Sequence, residues 1–157
     1  MPGIDDLNRT YEQTLQRHLD QQAKLKEVAD RSYGWLCDYM RADFNQIAAA
    51  PLPDEEQEEG KYRLPLIVNL DDQKQIHCSL VAQSGTRDKP GYRIALRTPE
   101  GGCNAVLPTQ PKYANQSVEE AQRESANEAF DSFDMLLSQL VARRFLQLRE
   151  SKTLGEE

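Results

Sequence analysis

The sequence predicts an α+β fold in which a long N-terminal helix and a long C-terminal helix flank a four-stranded antiparallel meander. Three observations lead there. Apolar residues recur at spacings of three and four in both terminal thirds. Between them, short runs alternate apolar and polar residues and are joined by polar turns. Proline- and carboxylate-rich stretches separate these zones.

The first stripe runs Ile4, Leu7, Tyr11, Leu15, Leu19, Leu25, Val28, then Trp35, Leu36, Tyr39, Phe44 and Ile47, so helix is expected from Ile4 to about Ala49. Its first half is thin and its second half aromatic. Gly34 is the one weak point, a place for a bend or a break. A straight helix of this span would reach about 70 Å at about 1.5 Å per residue. It must therefore break, protrude or pack on another chain. Pro51 and Pro53 end this helical region, residues 1–50, and an acidic loop, residues 51–60, follows.

Residues 61–107 read as the sheet. Leu64, Leu66, Val68 and Leu70 share one face of the first run; Ile76, Cys78, Leu80 and Ala82 that of the second; Tyr92, Ile94 and Leu96 that of the third. The fourth is Cys103–Leu107. Asp71-Asp72-Gln73 looks like a tight turn, and Pro65 marks its strand as an edge. Ser117 with Glu120 forms a capping box opening the last helix, residues 117–149, and Lys152 to Glu157 reads as a frayed tail. The whole, residues 1–157, is expected to be a single domain. The order of elements resembles that of RWD and ubiquitin-conjugating scaffolds, and bacterial secretion chaperones are likewise small acidic α+β dimers. These are likenesses of architecture, which imply a scaffold and no particular activity.

The net charge of −7 is polarised: −7 over residues 1–60, +4 over 61–97 and −4 over 98–157. Overall acidity disfavours non-specific binding to nucleic acid or anionic membrane. No apolar run approaches the roughly 18 residues of a membrane span, and the N-terminus is acidic where a signal would be basic. Three cysteines without paired spacing point to reduced thiols and a cytoplasmic setting.

No catalytic or cofactor motif emerges, and the residues lean against an enzyme. His77 and Cys78 are strand neighbours and point to opposite faces, so they form no dyad. Cys103, after Gly101-Gly102, is the most plausible reactive thiol, but it lacks an evident base. Five scattered Cys/His residues do not make a metal site, and no cofactor is expected. Binding surfaces remain. Arg63, His77, Arg93 and Arg97 fall on the sheet face opposite the apolar one, a mixed basic surface for a protein partner. That face lacks the aromatics a nucleic-acid platform wants, which makes nucleic acid the weaker alternative. Leu7, Tyr11 and Leu15 lie on the thin helical stripe, which suits pairing with a second copy. The expected function is a non-enzymatic protein-interaction module (chaperone, adaptor or inhibitor-type binder) acting as a homodimer.

Overall fold

The computed structural model describes residues 3–155 apart from Asp72 and Lys89, with no side chains described for Leu148 or from Glu150 onward. Part of the Asp71–Gln73 turn, Lys89, and Glu156 and Glu157 of the expected tail lie outside the described residues. The chain forms α1 (Ile4–Met40), β1 (Ile47–Ala49), β2 (Lys61–Asn69), β3 (Gln75–Ser84), β4 (Tyr92–Thr98), β5 (Gly101–Leu107) and α2 (Val118–Gly155). The strands make one antiparallel sheet in the order β1-β2-β3-β4-β5.

The sheet has five strands rather than four, because the first helix stops at Met40 instead of near Ala49. The reason is local. Arg41 takes a left-handed conformation, φ 52°, and its amide and that of Ala42 donate to the carbonyls of Asp38 and Cys37. The Asp43 carboxylate then accepts from the amides of Asn45 and Gln46, both at 2.8 Å. This turn competes directly with continued helix. Ile47–Ala49 instead pair with Leu66–Val68. Tyr33 Oη, on α1, donates to the Ile47 carbonyl and ties the new strand to the helix.

β2 is therefore an edge, as Pro65 suggested, only in its first half; β1 covers Leu66–Val68. Proline fits because it stands where β1 pairing ends, with its carbonyl accepting from Ala50 N at 2.9 Å. Beyond it, the Gln57 side chain takes the place of a strand, accepting from Arg63 N at 2.8 Å and donating to Arg63 O at 2.9 Å. Gln22 of α1 does the same further on, donating to Lys61 O and accepting from Gly60 N, each at 3.2 Å. Side chains thus blunt an edge that would otherwise invite another strand.

α1 does not break at Gly34; it is continuous from Ile4 to Met40. A Cβ at Gly34 would meet nothing within 4 Å. Gly34→Ala is accordingly expected to stabilise the fold by about 0.5–1 kcal/mol, since glycine carries an entropic cost inside a helix. A urea titration showing unchanged or lower stability would contradict this. The helix resolves its excess length by protruding: every residue from Ile4 to Arg17 is exposed, and burial begins at Leu25.

Both helices pack on one face of the sheet. Leu25, Leu36, Phe130 and Phe133 meet Leu64, Leu66, Ile76, Leu80, Ile94, Leu96 and Leu107, all fully buried. The alternation read in the sequence places the inner residues correctly. Both helices also run in the same sense. α1 passes from Ser84 and Lys61, which Gln21 and Gln22 touch, towards Val68 and Leu70. α2 passes from Pro108, where Gln122 donates at 3.0 Å, to Glu100 and Gln75, which Arg143 and Arg144 touch. Ser117 Oγ accepts from Glu120 N at 3.1 Å, capping α2 as expected. The tail expected to fray from Lys152 is helical as far as Gly155. Its backbone simply continues the preceding turns, with no proline to stop it.

Candidate functional site

The outer face of the sheet is built row by row from the register. Lys61, Gln83, Arg93 and Val106 lie across one row; Arg63, Val81, Ala95 and Asn104 across the next; Pro65, Ser79, Arg97 and Gly102 across the third. His77 follows, opposite Ile67. The three arginines singled out in the sequence thus surround the half-buried Val81 and Ala95. Arg93 and Arg97 stand either side of Ala95 on β4, about 13 Å apart along the strand. Arg63 stands two strands away in the middle row. A shallow cavity of about 440 Å³ lies over Val81, Ala95 and Val106 between Arg93 and Arg97. It adjoins a second of about 280 Å³ that reaches Arg63 and the acidic loop at Glu56 and Glu58.

The electrostatics of this face run against the chain as a whole. Lys61 pairs with Glu58 at 4.0 Å. Among the described residues, Arg63, Arg93 and Arg97 have no carboxylate within ion-pair distance. Arg93 Nε is shielded from solvent and donates to nothing. His77 is exposed at the margin of the cluster. No tyrosine, phenylalanine or tryptophan belongs to these rows.

Leu7, Tyr11 and Leu15 lie far from this face. They sit on the protruding part of α1, with Leu7 65% and Tyr11 69% exposed. The structure does not bring the two sets together; they are separate surfaces. The stripe that carries them continues into the buried Leu25, Val28 and Ala29, so the same apolar face is buried in one half and, among the described residues, exposed in the other.

The thiols are held protonated. Burial pushes Cys78 up to about 11 and raises Cys37 and Cys103 as well. Cys103 Sγ also donates to the Ala129 carbonyl at 3.2 Å. The histidines lie apart: His18 approaches Glu59 at 3.7 Å on α1, and His77 is on the sheet. No group of three or more metal-ligating side chains gathers among the described residues. Because the folded state resists losing the Cys78 proton, the contribution of this thiol to stability should be level below about pH 9 and be lost as the pH rises towards about 11. Urea titrations at pH 7.5 and 10 check this, and Cys78→Ala should lessen the fall. A native thiol that reacts with a disulfide reagent at neutral pH as fast as free cysteine would contradict it.

A further surface escaped the sequence reading. At the end of the sheet where α1 stops, Met40, Val68, Leu70, Ile76, Leu137 and Phe145 line an open, almost wholly apolar groove of about 550 Å³. Its walls come from α1, the β2–β3 hairpin and α2. Each contributing residue reads locally as core, so no single segment signals it.

The chain matches no family model, no curated protein and no solved structure. Among the described residues no helix is long and apolar enough to cross a membrane.

Proposed function

We propose that this chain is a non-enzymatic protein-interaction module, working as a homodimer, whose outer sheet face takes a carboxylate-rich extended segment of a partner protein. One observation carries the reading: in a chain of net charge −7, three arginines surround an apolar floor and none is ion-paired with a carboxylate of the described residues, Glu56 and Glu58 reaching only the cavity beside Arg63 and Arg97. Guanidinium groups recognise carboxylates through paired donors, and such bonds are stronger than neutral ones. Arg93 and Arg97, four residues apart on one strand, match carboxylates four residues apart on an extended ligand. Val81 and Ala95 offer apolar contact between them. The lack of stacking rings on this face and the overall negative charge favour protein over single-stranded nucleic acid. Three unpaired thiols fit a reducing, cytoplasmic setting.

The test is fluorescence anisotropy with a labelled peptide of the repeat Glu-Ser-Val-Ser, which puts glutamates and valines alternately on one face of an extended chain, its glutamine counterpart, and a single-stranded oligonucleotide. Binding of the glutamate peptide alone, weakening as salt is added, is the expected result. Equal binding of the glutamine peptide, or none of either at low salt, would sink the acidic-segment reading. Tighter binding of the oligonucleotide, with a steep salt dependence, would replace it with a nucleic-acid role.

A further inference from the structure

Two uncovered apolar surfaces lie at opposite ends of the molecule. At one end the free part of α1 carries Ile4, Leu7, Tyr11 and Leu19, exposed by 52–75%. At the other lies the groove beside α2, where Phe145 and Val141 are exposed by 63% and 40%. Patches of this kind on a soluble chain mark interaction sites.

Their charges are complementary. Ile4–Asp20 contains Asp5, Asp6, Glu12 and Asp20 against Arg9 and Arg17, a net −2. Asp134–Glu150 contains Arg143, Arg144 and Arg149 against Asp134 and Glu150, a net +1. Glu100 contacts Arg143, and Arg144 rests on the Gln75 carbonyl at 3.3 Å.

We infer that the free N-terminal half of α1 seats in the α2 groove of a second copy of this chain. This deepens the homodimer part of the reading above and rests on it. The geometry closes by symmetry. Because α1 and α2 run in the same sense, two copies laid antiparallel put the protruding end of each beside the grooved end of the other. A two-fold axis then repeats the contact, giving two equivalent antiparallel α1–α2 pairs and no open end for further growth. Pairing of α1 with the α1 of the second copy fits less well. It would set two net-negative helices against each other and leave both grooves uncovered.

The experiment is sedimentation velocity on the full chain, on Tyr11→Asp, on Phe145→Asp, and on an equimolar mixture of the two variants. Leu7→Asp with Val141→Asp serves as a second pair, and circular dichroism checks that each variant is folded. Each single variant damages both equivalent contacts and is expected to weaken the dimer at least about a hundredfold. The mixture is expected to dimerise again, because a heterodimer keeps one intact α1 and one intact groove facing each other. Dimeric Phe145→Asp beside monomeric Tyr11→Asp would overturn the groove assignment while leaving a homodimer through α1 alone. Monomeric variants whose mixture stays monomeric would also overturn it. A wild-type chain that is monomeric at every concentration would overturn both this inference and the homodimer reading.

Discussion

Arg93→Glu with Arg97→Glu is expected to lower the affinity for a carboxylate-rich peptide at least about thirtyfold, or about 2 kcal/mol. The size follows from what the two side chains do. Exposed ion pairs contribute only about 0–1 kcal/mol each, so removing two positive charges alone would give a small effect. Reversal adds like-charge repulsion at both positions. It also occurs beside the half-buried Val81 and Ala95, where solvent screens charge less than on an open surface. Arg63→Glu, two strands away, should cost less, and His77→Ala less again, since His77 lies beyond the rows that form the depression. None of these substitutions touches the buried side, so urea midpoints should stay close to wild type. Anisotropy titration of the three variants checks the order. Equal loss at every position, or loss that follows falling stability, would remove the specific role given to β4.

The second large effect is on folding. Phe130→Ala or Phe133→Ala is expected to cost about 3–5 kcal/mol, set against a total stability of about 5–15 kcal/mol for a domain. Both rings are 0% exposed, and Phe130 also stacks at a tilt on Tyr39, with centroids 5.8 Å apart. They join α2 to α1 and to the inner sheet face, so each truncation leaves a cavity where three elements meet. Phe145→Ala, on the same helix, should change monomer stability by less than about 0.5 kcal/mol, because its ring is mostly in solvent. Urea unfolding of all three at low protein concentration separates the cases. A Phe145 effect as large as that of Phe130 would mean the groove is part of the core rather than a surface.

The sheet was legible because its chemistry is local. Alternation over Tyr62–Leu70, Gln75–Ala82 and Tyr92–Thr98 placed the inner and outer faces, and with them Arg63, Arg93 and Arg97, without knowledge of strand pairing. The cap at Ser117 was legible for the same reason. β1 was not. Ala48 and Ala49 favour helix by propensity, and their strand conformation depends on Ile67 and Leu66, far along the chain. The only nearby sign was Asp43 followed by Asn45, a turn signal inside an apparently continuous stripe. For the same reason Pro65 marks an edge over only the first half of β2. Gly34 shows the opposite limit: propensity marked a weak point, and packing on either side kept the helix intact. The apolar groove draws on α1, β2, β3 and α2, so only tertiary structure reveals it.

The most direct measurement for the acidic-segment reading is an amide chemical-shift titration of the isotope-labelled chain with the glutamate–valine peptide. Saturable shifts centred on Arg63, Val81, Ala95 and Arg97, with the Ile4–Arg17 amides unmoved, are the predicted result. Shifts confined to α1 or to the groove beside Phe145, or no shift at low salt, would contradict a binding function for the outer face of the sheet.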